Sequence, residues 1–344
     1  MDEVELRELR MKAAVHTSYG PPDVVRVTDV AKPVPRPDEV LIAVRAASVN
    51  PLDGLTTGKP YSLRVMTGLR KPNVTRLGVD VAGQVTAVGR NVTQFKPGDQ
   101  VFGLCLVNPH ASGAAAWAHS QGAFAEYACA PESVIARKPG SVTFEQAAAT
   151  PVAAITALQG LRALGSVLGR RVLVTGASGG VGRFAVQLAA LAGAEVVASV
   201  SSPARATGLA GLGAAEIVVG LENLSAPVYG IMDTVGGPQL AEAFLHLESG
   251  GVVQVIGMAS GEPVTLGERQ RWGRSWRAAS FVFGTPVGAD LGYLVKLLAA
   301  GRLDPQIGWR SAWDRAPEAA KALLAREFTG RAVLDVTPTR TSVP

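Results

Sequence analysis

Short apolar stretches separated by turn residues fill the first part of the chain. Met11–Val15, Val24–Val27 and Glu39–Val49 are β-branched or alternate between apolar and polar side chains. They predict strands, because alternation places every second side chain on one face of a sheet. Gly20-Pro21-Pro22 and the proline-rich Lys32–Pro37 separate them. Helical spacing is scarce before residue 144, so we predict a mostly β first domain of about 130 residues.

Strands and helices alternate after residue 144. The apolar runs that predict strands are Arg171–Gly176, Glu195–Val200, Glu216–Val219, Ile231–Val235 and Val252–Ile256. The segments with helical spacing between them are Val181–Ala192, Ala204–Leu212 and Gln239–Glu248. Because each strand is apolar throughout, we expect a parallel sheet that is covered by helices on both faces. Two further helices, Asp290–Ala300 and Glu318–Arg326, and a strand, Ala332–Val336, form a tail whose fold the pattern does not assign.

Composition limits the classes of protein that fit this chain. Its 344 residues suggest two domains, and 47% hydrophobic with 18% charged residues exclude a disordered chain. The net charge of +5 is mild and no basic run alternates with aromatic residues, so no nucleic-acid partner is expected. Polar residues interrupt the uncharged stretch 101–125, so no membrane partner is expected either.

The start of the chain and its cysteines concern the compartment. The first ten residues, MDEVELRELR, carry too many acids for a signal peptide. Two cysteines, Cys105 and Cys129, cannot form a disulfide framework. These features predict a cytoplasmic protein, and the mild positive net charge predicts an enzyme whose ligand is an anion.

The segment Val172–Gly182 carries the strongest chemical signal. A strand ends, a glycine-rich turn follows and an amphipathic helix begins, with Ala177 where the commoner fingerprint has glycine. Glycines let the backbone approach a diphosphate closely, and the helix N-terminus offers free N–H groups. We therefore predict that a dinucleotide binds the loop residues, which are Ser178, Gly179, Gly180, Val181 and Gly182. The alternative is an ordinary strand–helix turn.

The end of the next strand indicates which dinucleotide binds. An NAD site places Asp or Glu about 20 residues beyond the glycines, at the ribose hydroxyls. This chain instead has Ser201, Ser202 and Arg205 there, without an acid. Arginine binds phosphate through a charge-assisted contact, so the sequence favours NADPH over NADH. The alternative is that Arg205 is a solvated helix residue.

Motifs along nearly the whole chain, from about residue 11 to residue 336, identify a family. They are Ser48–Asp53, Leu77–Gly83, Lys96–Val101, Gly122–Tyr127, Ala147–Leu158, Thr175–Gly182 and Gly330–Leu334. With these motifs the chain resembles the zinc-independent, quinone oxidoreductase-like branch of the medium-chain dehydrogenase/reductase superfamily. Val65–Pro72 further resembles a subgroup that includes reticulon-interacting quinone reductases.

The resemblance implies a fold class and a domain organisation. The class is α/β, with a GroES-like β-barrel domain and a Rossmann domain that has a doubly wound parallel sheet. The expected divisions are an extension over residues 1–10, a GroES-like catalytic domain over 11–138, a Rossmann domain over 139–283 and a return to the catalytic domain over 284–344. The family also implies that the nicotinamide lies in the cleft between the domains and that the protein is a homodimer.

Residues at the zinc positions of the family depart from the zinc pattern. Zinc members have Cys at the first ligand position and Gly-His-Glu at the second. This chain has Asn50 at the first and Val79-Asp80 in place of His-Glu, and Cys105 stands alone where a structural zinc would need four cysteines. Zinc needs about four ligands in a closed site, so we predict no metal.

The resemblance also supplies candidates around the nicotinamide. Asn50 is expected beside the ring, Asp53 is expected to hold the Asn50 loop, and Tyr61 is a second donor for developing negative charge. Asn50 and Asp53 could instead only cap a turn. Thr156 matches a position next to the nicotinamide, with helix packing as its alternative.

Further cofactor contacts are expected at strand ends and late in the chain. Val235, Gly236, Gly257 and Met258 follow strands whose ends hold cofactor in doubly wound sheets. The family places a backbone contact near Phe283, whose side chain fits a core position, and a basic contact near Arg331.

These expectations combine into a predicted NADPH-dependent, metal-independent oxidoreductase that transfers hydride to a quinone or another activated alkene or carbonyl. Two alternatives stay open at this point. One is an enoyl-thioester reductase or tailoring reductase of secondary metabolism. The other is a non-catalytic NADPH-binding protein, because fold alone does not fix function.

Overall fold

The structure is a computed structural model, which describes residues 9–16, 22–53, 75–105, 122–271 and 275–336. Its contacts divide the chain into two compact units. The first comprises Met1–Val152, Gly284–Arg302 and Ile307–Pro344, and the second comprises Ala153–Phe283 and Leu303–Gln306. Residues 139–152, which the sequence boundary assigned to the Rossmann domain, belong to the first unit by these contacts.

The strands and helices of the described residues are numbered in chain order. The strands are β1 (Arg10–His16), β2 (Arg26–Ala31), β3 (Glu39–Val49), β4 (Thr75–Arg76), β5 (Asp80–Val88), β6 (Gln100–Leu104), β7 (Tyr127–Pro131), β8 (Ile135–Arg137), β9 (Arg171–Val174), β10 (Glu195–Val200), β11 (Ala214–Val219), β12 (Val228–Asp233), β13 (Leu247–Val255), β14 (Trp276–Ser280), β15 (Ile307–Ala312) and β16 (Arg331–Asp335). The α-helices are α1 (Phe144–Ala148), α2 (Pro151–Ala163), α3 (Gly180–Leu191), α4 (Gly237–Ala243), α5 (Glu268–Arg271), α6 (Gly288–Ala299) and α7 (Ala316–Leu324).

The first unit is built around the long central strand β3. Its larger sheet has the order β15-β16-β3-β5-β6-β8, with β7 also paired to β3, and its smaller sheet has the order β2-β1-β4. Strands β5, β7 and β16 all run antiparallel to β3. Ile42, Val81, Val101, Phe124 and Leu334 belong to the buried apolar core of this unit. Val49 at the carboxyl end of β3 also belongs to this core, and it lies between Ser48 and Asn50 in the chain.

The second unit is a parallel sheet with the order β11-β10-β9-β12-β13-β14. All of its strand pairs are parallel, and numbered within the unit the order is 3-2-1-4-5-6. This is the order of a Rossmann sheet. Leu173, Val197, Ile231 and Val253 are fully buried, which explains why these strands are apolar throughout.

Three predicted elements differ from the structure. The predicted helix Ala204–Leu212 is two short 3₁₀ helices, Pro203–Ala206 and Ala210–Leu212, because Gly208 between them has a left-handed φ of 82°. The predicted helix Gln239–Glu248 ends as α4 at Ala243, and β13 already begins at Leu247. The predicted strand Val24–Val27 begins later, as β2, since Pro22–Val24 forms a 3₁₀ turn.

The structure also assigns the C-terminal tail, whose fold the sequence pattern left open. Strand β16 pairs with β3 and helix α6 packs on β8, so Gly284–Arg302 and the residues from Ile307 onward belong to the first unit, whereas Leu303–Gln306 belongs to the second. None of the described helices has both the length and the apolar character needed to cross a bilayer.

Candidate active site

Close backbone contacts shape the glycine-rich loop after β9. A Cβ atom on Gly182 would lie 2.3 Å from the carbonyl oxygen of Gly176. Gly176 itself has a φ of +62°, and a Cβ atom there would meet a side-chain oxygen at 2.3 Å, so both positions require glycine. Gly179 is the N-cap of α3, whose first turn closes with a 2.9 Å bond from Arg183 N to Gly179 O. Because the N–H groups of residues 180–182 precede that bond, the loop fits a diphosphate.

A guanidinium group lies beside this loop. Arg205 is half-buried in the 3₁₀ helix Pro203–Ala206, and its Nε donates to Oγ of Ser178 at 3.1 Å. Ser178 is only 5% exposed, whereas Ser201 is exposed and Ser202 half-buried. No acid stands between the end of β10 and Arg205. This set of donors fits a phosphate on the adenosine ribose.

The sheet order reverses between β9 and β12, and polar groups join the carboxyl ends of these strands. Thr175 Oγ1 donates to Oδ1 of Asp233 at 2.6 Å. The N–H groups of Gly236 and Val235 donate to the same carboxylate at 2.9 and 3.3 Å. Burial raises the pKa of Asp233, and these hydrogen bonds oppose the shift. The N–H groups of Val235 and Gly236 are thus bound by Asp233, and contact of these two residues with a cofactor stays a prediction.

The other predicted contacts in the second unit differ in exposure. A Cβ atom on Gly257 would lie 2.5 Å from a backbone carbonyl oxygen, so the chain passes closely there. Met258 is 59% exposed, whereas Thr156 in α2 is 7% exposed and Phe283 is 4% exposed. The Phe283 ring packs edge-on against Phe281, with 6.4 Å between centroids. The Phe283 side chain is therefore a packing residue, in agreement with the core position that the sequence suggested for it.

In the first unit Asn50 belongs to a buried polar cluster at the end of β3. Its Nδ2 donates to Oδ2 of Asp80 at 2.9 Å and approaches the carbonyl oxygen of Ser48 at 3.5 Å. Because a carboxylate only accepts, the Asn50 amide nitrogen must face Asp80. One amide hydrogen of Asn50 is thus bound by Asp80, donation from Asn50 to a reacting oxygen stays a prediction, and the Asn50 oxygen lies on the opposite side of the amide.

Arg331 lies in the same cluster and is 5% exposed. Its Nη2 donates to Oδ2 of Asp80 at 2.8 Å and also to Oγ of Ser48, and its Nε donates to the carbonyl oxygen of Ala149 at 3.0 Å. Burial raises the pKa of Asp80, and the Arg331 guanidinium with its neighbouring donors opposes that shift. The structure thus places Arg331 in an ion pair with Asp80, and its contact with a cofactor stays a prediction.

Asp53 is held just below this cluster. Its Oδ2 accepts from the N–H of Asn50 at 2.5 Å, which closes the 3₁₀ turn Pro51–Asp53. Its Oδ1 is buried and forms no hydrogen bond. Burial, with a smaller effect from the Asp80 charge, raises the pKa of Asp53 to about 8. The hydrogen bond from the Asn50 N–H to Asp53 is the contact expected if Asp53 holds the Asn50 loop.

Two further charged residues of the site had no role assigned from the sequence. Arg183 in α3 and Asp80 in β5 are both buried charged residues. A charged residue inside an otherwise apolar segment is the sequence signal that could have marked each of them.

Tyr61 lies outside the described residues. Among the residues that are described, no three His, Cys, Asp or Glu side chains converge as metal ligands would.

Comparisons with known proteins agree with this geometry. Residues 36–140 match the family model "Alcohol dehydrogenase GroES-like domain", and residues 180–299 match "Zinc-binding dehydrogenase". The 2-methylene-furan-3-one reductase of Solanum lycopersicum is 33% identical over 95% of this chain and 80% of its own length. The mitochondrial NAD(P)H oxidoreductase RTN4IP1 of Bos taurus is 31% identical over 96% of this chain and 90% of its own.

Solved structures give the same result. The quinone oxidoreductase from Coxiella burnetii is 28% identical and superposes with a TM-score of 0.81, covering 95% of this chain and 100% of its own. The mycobacterial protein Rv1454c complexed with NADPH is 26% identical with a TM-score of 0.78, covering 94% and 99%.

A GroES-like domain and a Rossmann-type parallel sheet with a glycine-rich loop after its first strand define a medium-chain dehydrogenase/reductase. The chain belongs to that superfamily, and within it to the quinone oxidoreductase-like branch. It is therefore an oxidoreductase that uses a nicotinamide cofactor and acts on a small molecule. The expectation of family and fold class is confirmed.

Proposed function

We propose that this chain is an NADPH-dependent reductase that transfers hydride, without a metal, to a quinone or to another alkene or carbonyl activated by conjugation. The observation that carries the proposal is the bond from Arg205 Nε to Ser178 Oγ, 3.1 Å long. It joins a cation to the phosphate-binding loop at the position where an NAD site would have an acid.

The donor set of the second unit supports the cofactor. The α3 N-terminus offers N–H groups for the diphosphate, Gly176 and Gly182 permit its close approach, and Arg205 offers charge for a 2′-phosphate. One relative is named an NAD(P)H oxidoreductase and one structural neighbour is complexed with NADPH, which agrees with this choice. When bound, NADPH supplies the hydride from C4 of its nicotinamide ring.

The first unit supplies a rigid polar framework. Asp80 and Arg331 fix the Asn50 nitrogen, so Asn50 would present its amide oxygen as an acceptor to the carboxamide of the nicotinamide or to a bound water. Another hydrogen-bond donor would stabilise the negative charge that develops on the oxygen of the electron acceptor. Our candidates for this donor are Tyr61 and a water molecule. The reduced product gains one hydride and one proton.

The acceptor class rests on the relatives. One acts on a 2-methylene-furan-3-one, which is a conjugated carbonyl compound, and one structural neighbour is a quinone oxidoreductase. Both acceptors take hydride at a carbon conjugated to a carbonyl group. An enoyl-thioester or tailoring reductase is the second candidate, because its acceptor has the same conjugation.

Assembly and location complete the proposal. We propose a homodimer, as the family implies; light scattering on the full chain would contradict it by giving the mass of a monomer. The cytoplasm stays the predicted compartment. Cys105 and Cys129 are buried and form no disulfide, which agrees with a reducing environment.

An acceptor screen tests the proposed reaction. We expect the purified chain to oxidise NADPH with a quinone or an enone faster than with a 2-enoyl thioester, and to keep this activity after treatment with a metal chelator. Reversal of the acceptor order would favour the second candidate. Binding of NADPH without turnover of any acceptor would favour a non-catalytic protein. A requirement for added zinc would remove the metal-free mechanism.

A further inference from the structure

Arg183 is a buried cation in helix α3 whose hydrogen-bond partners are all neutral. It is 5% exposed. Its Nε donates to the carbonyl oxygen of Ser178 at 3.3 Å, its Nη2 to the carbonyl oxygen of Thr207 at 2.9 Å, and its Nη1 to Oε1 of Gln306 at 2.8 Å. The ion pairs found among the described residues do not include it. A buried charge without a counter-ion is costly unless an anion joins it.

A second guanidinium meets the same residue. Arg205 donates to the hydroxyl oxygen of Ser178, while Arg183 donates to its carbonyl oxygen. Burial, and next the positive charge of Arg205, lowers the pKa of Arg183, and Asp304 opposes that shift. Two cations that converge on one serine of a phosphate-binding loop form a site for an anion of more than one charge. A phosphomonoester carries a charge of about −1.5 to −2 at neutral pH.

A network of hydrogen bonds fixes the position of the Arg183 side chain. Gln306, which binds its Nη1, has a left-handed φ of 54°, and the Gln306 N–H is held by Asp304 Oδ1 at 2.8 Å. One helical turn after Arg183, Gln187 exchanges two hydrogen bonds with the backbone of Asp304, at 2.8 and 2.9 Å. Non-glycine residues with positive φ persist where the surrounding structure fixes them. The segment Leu303–Gln306 therefore holds the guanidinium of Arg183 toward the loop.

We propose that Arg183 is a second specificity-determining residue for the 2′-phosphate of NADPH, sharing that phosphate with Arg205. The proposal rests on the proposed function, since NADH lacks this phosphate. It predicts that discrimination between the two coenzymes depends on two guanidinium groups from different segments, one in helix α3 and one after β10.

Equilibrium binding to the full chain, followed by fluorescence or calorimetry, tests the proposal without an acceptor. Arg183→Gln should weaken binding of NADPH and of adenosine 2′-monophosphate by about 10- to 100-fold, the size expected for a lost hydrogen bond to a charged group. Binding of NADH should change by less than about threefold. Arg183→Lys keeps a charge but loses the planar fork, so its loss for NADPH should be smaller and again absent for NADH.

Arg170→Gln is the matched control. Arg170 belongs to the same unit and pairs with Glu248, and it precedes β9, whereas the loop follows the other end of that strand, so this variant removes an exposed guanidinium away from the loop. We expect it to leave the preference for NADPH over NADH unchanged. If Arg183→Gln and Arg183→Lys change the binding of both coenzymes equally, Arg183 only supports the segment and the proposal is overturned. If the unaltered chain binds NADPH and NADH equally, the proposed cofactor itself fails, and this outcome is distinct from a failure of Arg183 alone.

Discussion

At the scale of single residues, folding changes the chemistry of the Asp53 carboxyl group. It accepts a hydrogen bond from the Asn50 N–H through one oxygen, and its other oxygen is buried without a partner. A proton on that second oxygen would remove a buried charge next to Asp80, which is held by Arg331. The pKa of Asp53, raised from 3.8 to about 8 by burial, agrees with a carboxyl group that is neutral at physiological pH.

This protonation predicts a dependence of stability on pH. The folded protein keeps the Asp53 proton up to about pH 8, whereas the unfolded chain releases it near 3.8, so the folded state binds more protons between these values. The free energy of unfolding should therefore fall as pH rises through this window, by about 1.4 kcal/mol per pH unit for one group. Asp53→Asn, which cannot ionise, should lack this contribution.

Urea unfolding at several pH values between about 5 and 8 measures the difference between the two proteins. Asp80, Asp233 and the other ionisable groups are present in both, so the difference reports the Asp53 carboxyl together with its interaction with Asp80. Parallel dependences on pH in the unaltered chain and in Asp53→Asn would contradict a neutral Asp53.

At the scale of elements, the junction of β9 with α3 carries the most consequence for function. A Cβ atom on Gly182 would lie 2.3 Å from the Gly176 carbonyl oxygen and 2.7 Å from Cα of Ala177. Both atoms are backbone, so they cannot rotate away as a flexible side chain could. The helix would have to move outward from the loop, and its N–H groups with it.

Gly182→Ala should therefore weaken dinucleotide binding and lower stability together. Overpacking of a tight site costs about 1 to 3 kcal/mol, which chemical unfolding would detect. Binding of NADPH and of NADH should fall in parallel, because the diphosphate is common to both. Gly211→Ala is the control: a Cβ atom there meets nothing within 4 Å. An unchanged affinity in Gly182→Ala would show that the loop does not need this close contact.

Particular elements show what the sequence could predict. The strands Glu39–Val49 and Glu195–Val200 agree with β3 and β10 at both ends, because apolar periodicity and flanking turn residues act locally. The helix predicted over Gln239–Glu248 was too long, because residues from Leu247 onward belong to β13, which pairs with β12. Sheet pairing joins distant segments and has no local signal.

The candidate site shows the same difference between local patterns, which the sequence reveals, and contacts between distant segments, which it does not. The loop Ser178–Gly182 and Arg205 were predictable because they follow a strand–turn–helix pattern within one stretch of chain. The bonds from Arg183 to Gln306 and from Arg331 to Asp80 join residues that are 123 and 251 positions apart. Pattern alone could not show that Arg331 pairs with a carboxylate, or that Arg183 faces the same loop as Arg205.

At the scale of the whole molecule, the chain separates two tasks between its two units. The second unit holds the phosphate-binding loop, the two guanidinium groups and the carboxyl ends of the parallel strands. The first unit holds the buried cluster of Asn50, Asp80 and Arg331, which fixes the orientation of one amide.

A binding titration of the full chain with NADPH and with NADH tests the central claim most directly. We predict saturable binding of NADPH that is at least about tenfold tighter than that of NADH, and a clear reduction of this preference in Arg205→Ala with little change for NADH. Equal affinity for the two coenzymes, or an Arg205→Ala variant that weakens both alike, would contradict the claim that a 2′-phosphate binds beside the glycine-rich loop.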